Sequence, residues 1–364
     1  MSLIIQLKQI PDPRHLKGRR HPLWMLMFLS LLGVVCGYSG YRPLADFCVK
    51  HDRELRRLLE LPETQRMPSY STFRRSFLNL PPQGWVDTFN VWALASLPAH
   101  WAAYLWSIDG KSIRCTSTGG NSANQNFVSL VSVYNQFMGV LRLAMMENKK
   151  CSEIHVAQDL IQELPALPPG QCFSLDALHT TQATVQVINQ TEQDYLLPVK
   201  QNRAATYQAV ETLTQTQVAK SSALEQDDSH GRSVQRQIYL FEPPADLLAK
   251  CPKLKTVARL QRSGTREQKP FSETVFYLSS RDWSADDLLA ATRGHWQIEN
   301  GLHWVKDVGF KEDDPIRRGG HAPVNWAVMN TFCITLARRQ GFRTVPQALR
   351  SWANLLNEVF HFFV

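Results

Sequence analysis

The sequence has few cysteines, and none of them form the closely spaced pairs that hold a structural metal. Seven cysteines are scattered along the 364 residues, and no two are separated by only two positions. Structural zinc sites and disulfide frameworks use cysteines at short, regular spacings. We therefore expect neither, and several of the cysteines lie in apolar runs as core thiols do. A reducing, cytoplasmic location fits this composition.

The sequence also lacks an apolar run long enough to cross a membrane. The clearest candidate extends over fourteen residues from Leu23 to Cys36, whereas a spanning helix needs about 20. Lys17, Arg19 and Arg20 precede this run, as basic residues precede the core of a secretory signal, but no clear small-residue cleavage site follows. The run is therefore predicted to be a buried helix, and no membrane association is expected.

Basic residues outnumber acidic ones, and this balance indicates the charge of the expected binding partner. Lys and Arg total 40 against 32 Asp and Glu, so the formal net charge is +8. A basic surplus favours polyanions such as double-stranded DNA, because binding releases counterions. Hydrophobic residues make up 44% and charged residues 20%, as in ordinary globular proteins, so bulk disorder is not expected. The length allows two or three domains.

Residues 1–95 are predicted to form a helical N-terminal domain. Gly37 and Pro43 follow the first apolar run and should end its helix. Apolar residues then recur at helical spacing from Leu44 to Leu59, which predicts one continuous second helix. Pro62 should prevent its continuation.

A short basic helix is predicted next, capped by Ser69 or Ser71. Phe73 and Phe77 stand four residues apart, so they should face the core, with the arginines at positions 74 and 75 pointing outward. This outward pair has two interpretations that the sequence leaves open. It could contact DNA, or it could belong to an ordinary solvated helix surface.

Residues 101–202 and 284–340 are predicted to form one α/β layer, because short apolar strands alternate there with helices. Residues 203–283 are predicted to form a β-rich insertion, whose polar stretch from Thr212 to Arg232 is expected as a loop or helix. Residues 341–364 are predicted to be a C-terminal helical tail. The predicted strands are Leu105–Ile108, Phe127–Tyr134, Val140–Met145, Gln171–Leu175, Tyr195–Val199, Val234–Phe241, Lys255–Gln261 and Ser272–Leu278.

Two aspartates stand at the ends of predicted strands. Asp109 closes the first strand and is followed by Gly110 and Lys111, and Asp176 closes a later strand. A strand end exposes its side chain where a ligand can reach it, and Lys111 could hold a phosphate. Taken alone, each aspartate could also be an ordinary turn or capping residue.

Glu299 lies in the most informative segment, which is predicted to be a regular α-helix. At about 100° per residue, His295, Glu299, His303 and Lys306 share one polar stripe. An adjacent apolar stripe should pack on the core, which would place the polar stripe at the rim of a buried face. The alternative is a solvated helix surface with a packed underside.

Three carboxylates placed in this way could share a pair of divalent cations. Asp109, Asp176 and Glu299 offer the oxygen ligands that Mg²⁺ prefers. A metal pair activates the attacking oxygen and stabilises the leaving oxygen of a phosphodiester. Lys200 follows a later strand and could touch a DNA end, or it could lie in an exposed loop.

At these residues the sequence resembles the DDE transposases of bacterial insertion sequences, in particular the H-repeat-associated group. The resemblance covers nearly the whole chain, and its last block is the most specific. The matching blocks are Ile10–Arg14, Pro68–Phe77, Ile108–Lys111, Glu153–Ile154, Asp176–His179, Tyr195–Lys200, His230–Arg232 and His295–Asp313.

The resemblance implies a ribonuclease H-like catalytic core in which Asp109, Asp176 and Glu299 bind two Mg²⁺ or Mn²⁺ ions. It also implies an N-terminal associated domain and an insertion before the glutamate helix. Members of this group act on the ends of their own element, usually as oligomers on double-stranded DNA. A cytoplasmic, nucleoid-associated homo-oligomer is therefore expected.

These observations predict a DNA transposase that hydrolyses phosphodiesters at element ends and transfers the strands into target DNA. Two alternatives stay open, namely an inactive derivative that still binds DNA and a nuclease that cuts without joining. Trp296 or Trp304 could stack on a splayed base or pack in the core. The residues expected to contact DNA are Lys111, Arg74, Arg75, Lys200, His303 and Lys306.

Overall fold

Helices and strands alternate along the chain in the computed structural model of the protein, which describes residues 2–97, 105–119, 125–228, 233–266, 269–314 and 317–364. The predicted mixed α/β class is confirmed. The chain divides into two units, the first being Met1–Pro98, Gly110–Cys151 and Glu299–Val364, and the second Ala99–Asp109 and Ser152–Ile298. The block His230–Arg232 lies outside the described residues.

The α-helices are α1 Leu3–Lys8, α2 Leu23–Val35, α3 Tyr41–Lys50, α4 Asp52–Leu59, α5 Tyr70–Asn79, α6 Gln83–Ala95, α7 Glu153–Gln162, α8 Gln182–Gln190, α9 Ala204–Thr216, α10 Ala245–Lys250, α11 Ala285–His295, α12 Ala322–Arg339, α13 Val345–Trp352 and α14 Leu356–His361. Short 3₁₀ helices cover Leu16–Gly18, Ala177–His179 and Gln201–Arg203. Two segments, Glu299–His303 and Val305–Gly309, are π-helical.

The strands are β1 Leu105–Thr118, β2 Asn126–Asn135, β3 Gly139–Glu147, β4 Cys172–Ser174, β5 Asp194–Val199, β6 Ser221–Asp227, β7 Ser233–Phe241, β8 Thr256–Arg266 and β9 Lys269–Ser279. Each predicted strand has a counterpart among them. The part of β1 up to Asp109 belongs to the second unit and its longer remainder to the first.

In the first unit, α2 lies at the centre of the N-terminal helices. All of its residues except Trp24 are buried, which confirms the prediction that this apolar run is a core helix. Its apolar side chains have no polar face to present to water, so neighbouring helices must cover it on every side. Among the described residues, no helix has the length and apolar character needed to span a membrane.

The prediction of a single helix from Leu44 to Leu59 is wrong, because the helix is interrupted at His51, between α3 and α4. His51 leaves the α-helical region, with φ −104° and ψ 18°. Asp52 and Glu54 follow in the first turn of α4, where acidic side chains interact favourably with the helix dipole. The apolar spacing continues across this break, so the hydrophobic pattern alone could not reveal it.

β2 and β3 form the antiparallel hairpin that the sequence predicts. Asn135 pairs with Gly139 across the turn, and its Oδ1 accepts from the N–H groups of Phe137 and Met138 at 2.8 and 3.1 Å. Gly139 has a φ of +70°, and a Cβ there would lie 2.6 Å from the Cα of Thr335. The turn therefore requires glycine at this position.

In the second unit, β1, β4 and β5 run parallel, and β5 pairs antiparallel with β9. β8, β7 and β6 then follow in that order, each antiparallel to its neighbour. Leu288 of α11 joins Cys172, Leu196 and Ile238 in one core cluster on this sheet. The strands of the predicted insertion therefore extend the same sheet.

The prediction of a loop or helix from Thr212 to Arg232 is wrong for the stretch that forms β6. The half-buried residues of β6 include Glu225 and Asp227, whereas Leu224 is exposed. Both carboxylates lie near Nη1 of Arg236 on β7, at 3.7 and 3.5 Å. Because charged residues take the covered positions of this edge strand, the apolar alternation that marks a strand is missing.

Candidate active site

Two of the predicted metal ligands follow the paired stretch of the neighbouring strands β1 and β4, but Asp109 does not close its strand as predicted, because β1 continues to Thr118. These neighbouring strands run parallel, and Ser107 of β1 is paired with Ser174 of β4. Asp109 and Asp176 each come two residues later. Asp109 lies within β1, where side chains alternate with a period of two, whereas Asp176 lies beyond the end of β4, at the N-cap of the 3₁₀ helix that follows. Both aspartates therefore lie two residues beyond one pair of neighbouring serines.

A chain of buried hydroxyl contacts fixes this register. The Oγ atoms of Ser107 and Ser174 are 3.3 Å apart, and Ser174 Oγ also lies 2.9 Å from Nδ1 of His295. His295 is the last residue of α11, so the contacts tie both parallel strands to the end of that helix. Sequence reasoning missed the serines, whose only signal was a small polar residue inside each apolar strand.

Asp176 has a structural role in addition to its predicted one. Its side chain accepts a hydrogen bond from the N–H of Leu178 at 2.8 Å and so caps the 3₁₀ helix that follows. The capping interpretation of this aspartate is thus confirmed. Its side chain is still 51% exposed, and a carboxylate has about four lone-pair sites. Capping therefore leaves room for a ligand.

His179 and Glu153 stand beside Asp176 and were not predicted as site residues. The His179 side chain is fully buried, and its Nε2 lies 3.3 Å from Glu153 Oε1 and 3.9 Å from Asp176 Oδ1. Glu153 is the first residue of α7. Both residues belong to blocks that match the resembled family, but their contact depends on tertiary packing that no local spacing reveals.

Glu299 begins a π-helical segment, so the predicted regular α-helix is wrong here. α11 ends at His295, and the π-helical turns cover Glu299–His303 and Val305–Gly309. A π-helix bonds residue i to i+5, so its side chains do not follow the 100° spacing of an α-helix. Such turns are frequent at functional sites.

Glu299 is paired with a histidine one turn away. Its Oε2 lies 3.4 Å from Nδ1 of His303, with the Glu299 side chain 51% exposed and that of His303 only 7% exposed. The buried imidazole therefore supports an accessible carboxylate. Trp296 and Trp304 are 50% and 59% exposed, so neither packs in the core.

Lys306 was predicted to lie in a polar stripe at the rim of a buried face and to contact phosphate, but it is buried inside the first unit. Its side chain is 1% exposed, so no phosphate can reach its ammonium in this structure. Burial lowers the pKa of Lys306, while Glu312 partly offsets this effect. Glu312 is itself buried and accepts a hydrogen bond from Asn330 Nδ2 at 2.8 Å. Lys306 therefore belongs to a buried polar group.

Lys111 is engaged with carboxylates instead of facing solvent. Its Nζ lies 2.6 Å from Asp307 Oδ1 and 3.5 Å from Asp313 Oδ1, and its side chain is 9% exposed. Arg114 Nε lies 3.2 Å from the other oxygen of Asp313. The ion pairs attach β1 to the acidic residues around the π-helical segment, and they occupy the ammonium that was predicted to hold a phosphate.

An open pocket of about 620 Å³ adjoins Asp176. Lys200, Asn202 and Tyr207 line it, and Asn202 Nδ2 donates to the carbonyl oxygen of Ala177 at 2.9 Å. Lys200 is exposed. This lysine is thus both accessible and close to Asp176, as a contact with a DNA end requires.

The short basic helix α5 has the buried and exposed sides that the sequence predicts, but the side chain of Ser69 at its N-cap makes no capping hydrogen bond. Phe73 and Phe77 are buried, and Arg74 and Arg75 are exposed. Arg75 Nε donates to the carbonyl oxygen of Ser71 at 3.2 Å, which orients its guanidinium along the helix surface. Both interpretations of the arginines, as DNA contacts or as a solvated surface, fit this arrangement.

Two protein families match successive parts of the chain. The DDE_Tnp_1-associated family matches residues 4–93, and the family described as Transposase DDE domain matches residues 102–336. The second match contains the segments of all three predicted metal ligands.

Curated relatives from Escherichia coli match most of the chain. "Putative protein YbfL" of strain K12 is 26% identical over 333 residues, which are 88% of this chain and 86% of that relative. "Putative transposase YncI" of O157:H7 is 26% identical over 334 residues, 89% of this chain and 84% of the relative. "H repeat-associated putative transposase YhhI" of strain K12 is 26% identical over 333 residues, which are 88% of this chain and 86% of that relative. Because the Transposase DDE domain match spans more than half of the chain, the protein belongs to the DDE transposase family.

Proposed function

We propose that this protein is a DNA transposase that cuts at the ends of its own element and joins the cut strands to target DNA. The observation that carries the proposal is that Asp109 and Asp176 each follow, by two residues, a serine of the paired parallel strands β1 and β4, in a chain of the DDE family. The parallel strands β1, β4 and β5, with helices between them, support the ribonuclease H-like core that the resemblance implies.

Membership in the family implies that a divalent metal is used, and the side chains present fit one. Asp109 and Asp176 offer carboxylate oxygens, which Mg²⁺ and Mn²⁺ prefer. Glu299 supplies a third accessible carboxylate, oriented by His303. Bound there, two ions would activate the attacking oxygen and stabilise the leaving oxygen of a phosphodiester.

The remaining side chains would place the DNA. Water would hydrolyse the phosphodiester at the element end, and the freed 3′ hydroxyl would attack target DNA in line. Lys200, exposed beside Asp176, suits a phosphate at the cut end. Trp304, exposed between the two π-helical segments, suits stacking on a splayed base. A homo-oligomer on DNA, associated with the nucleoid, is part of this proposal.

The test is a nicking assay with Mg²⁺ and labelled duplexes from each end of the DNA segment that encodes this chain. Asp109→Ala, Asp176→Ala and Glu299→Ala should each reduce nicking to background while duplex affinity stays within about threefold of wild type. Asp246→Ala, which removes an exposed carboxylate from the first turn of α10, is the matched control and should nick normally. Wild-type nicking rates in any of the three variants would refute the ligand assignment.

Adding an unlabelled target duplex separates this function from its alternatives. Strand transfer by the wild-type protein supports the transposase. Hydrolysis products alone would indicate a nuclease that cuts without joining. Binding without any nicking by the wild-type protein would indicate an inactive DNA-binding derivative.

A further inference from the structure

The N-terminal helices carry a second concave, strongly basic site. A pocket of about 810 Å³ lies between the loop from Pro13 to His21 and the first turns of α5. The charged residues that line it are Arg14, Lys17, Arg20, Arg66 and Arg75, and its lining includes no aspartate or glutamate. Charges of one sign gathered in a concavity produce a focused field that attracts the opposite charge.

One arginine of this pocket builds the loop and is neutralised by an aspartate. Arg14 donates to both carboxylate oxygens of Asp12, from Nε at 2.9 Å and from Nη2 at 2.7 Å, and also to the carbonyl oxygen of His21 at 2.7 Å. Arg19 donates to the carbonyl oxygens of Arg14 and Asp12, each at 2.7 Å. The loop that carries Lys17 and Arg20 is thus held in one conformation.

The other cations have no such partner. Lys17, Arg20 and Arg66 are exposed, and no carboxylate among the described residues lies within ion-pair distance of their side chains. Three exposed cations around one concavity produce a positive potential that attracts an anion. Buried His21, between this loop and α2, has its pKa lowered by desolvation and by the nearby cations Arg20 and Arg14, in keeping with a positive field.

Hydroxyl groups complete the lining at the start of α5. Ser69 stands at the N-cap without a side-chain bond to the helix backbone, and its Oγ instead contacts the hydroxyl oxygens of Ser71 and Thr72 at 3.0 and 3.1 Å. Ser69, Thr72 and Ser76 line the pocket. Hydroxyls and a helix N-terminus are donors that phosphate oxygens accept.

We propose that this pocket binds the phosphate backbone of duplex DNA. The inference rests on the proposed function, because it gives the transposase substrate a second contact on the N-terminal helices. A backbone is favoured over a small anion because the cations Lys17, Arg20 and Arg66 line the rim of an open site. Arg74, exposed on the same helix as Arg75, extends the basic surface beyond the pocket. The contact would position DNA and carry no sequence preference.

The test compares two triple variants of the full chain by fluorescence anisotropy with a labelled duplex. The pocket variant carries Lys17→Ala, Arg20→Ala and Arg66→Ala. A control variant with Arg53→Ala, Lys149→Ala and Arg343→Ala removes the same charge from other exposed positions of the first unit. Thermal melting checks that both variants are folded.

The pocket variant should bind duplex DNA at least about tenfold more weakly at 0.1 M salt, and the slope of log affinity against log salt should fall by about 2 to 3. The control variant should stay within about threefold of wild type, with a slope change below about 1. Equal losses in the two variants would overturn the proposal, because they would show a general charge effect. No loss in a folded pocket variant would overturn it as well.

Inorganic phosphate separates the two sources of the anion. If millimolar phosphate raises the melting temperature of wild type but not of the pocket variant, while both bind duplex DNA equally, the pocket is a small-anion site and the proposal fails. Asp176→Ala keeps the two hypotheses apart. If Asp176→Ala loses nicking while the pocket variant binds duplex DNA as tightly as wild type, only the pocket inference is wrong. If the wild-type protein binds no duplex DNA, the proposed function is wrong as well.

Discussion

Burial decides, residue by residue, which basic side chains are available to DNA. Lys111 and Lys306 are nearly or fully buried, and Lys111 is held by carboxylates. Lys200 and Arg75 are exposed. The sequence gives all four the same charge, and only their packing separates structural cations from candidate phosphate contacts. Residue type alone therefore could not predict which of these basic side chains are accessible.

A test at the residue scale concerns Asp12, which holds the basic loop through Arg14. Asp12→Asn should lower the unfolding free energy by about 1–2 kcal/mol at pH 7, because it weakens two charge-assisted hydrogen bonds. The side-chain hydrogen bond from Arg14 holds the pKa of Asp12 below its usual value. The stabilisation is therefore complete above the unfolded pKa near 4 and is lost as the pH falls through the lower folded pKa.

Urea denaturation of wild type and variant between pH 3 and pH 7 measures this effect. The difference in unfolding free energy should be constant above about pH 5 and shrink below about pH 4. Asp314→Asn is the control, since Asp314 pairs with Arg318 at 2.8 Å while 91% exposed, and exposed pairs contribute little. A pH-independent difference for Asp12→Asn would contradict this account.

At the scale of elements, the π-helical segment is the feature that most affects the site. Gly301, two residues after Glu299, is packed against Tyr134, so that an added Cβ would lie 3.0 Å from the ring carbon Cζ and closer still to the hydroxyl. Tyr134 is buried and cannot move without disturbing its strand. The absence of a side chain at Gly301 therefore lets the π-helical segment that carries Glu299 lie close against Tyr134.

Gly301→Ala should lower the unfolding free energy by about 1–3 kcal/mol through overpacking and reduce nicking at least tenfold by displacing Glu299. Gly309→Ala is the matched control in the same kind of helix, because its added Cβ would lie 3.7 Å from Val305, an ordinary contact. Melting temperature and nicking rate measure the two effects. Equal behaviour of the two variants would show that the Tyr134 contact does not position the segment.

The elements that the sequence predicted are those with strong apolar patterns. α2 and the β2–β3 hairpin fall close to their predicted bounds because burial and turn residues mark them. The break at His51 and strand β6 were missed, since the first interrupts an unbroken apolar spacing and the second buries charges. The π-helical turns were missed because their hydrogen-bond register leaves no compositional trace.

At the scale of the whole molecule, the candidate site depends on contacts between residues far apart in the sequence. Asp109 and Asp176 each follow a serine of the Ser107–Ser174 pair, and no local pattern encodes that register. The family resemblance supplied the triad, whereas strand ends alone left each aspartate open to a structural interpretation. The contacts of His179 with Asp176 and with Glu153 of α7 are revealed only by the fold.

The central claim is that Asp109, Asp176 and Glu299 ligate the same ions. Its most direct test is a crystal structure of the protein with Mn²⁺ and an element-end duplex, with the ions located by anomalous scattering. We predict two manganese peaks, with oxygen atoms of all three carboxylates at roughly 2.0–2.3 Å. The absence of manganese at these residues, or ions whose ligands omit one of the three, would contradict the account.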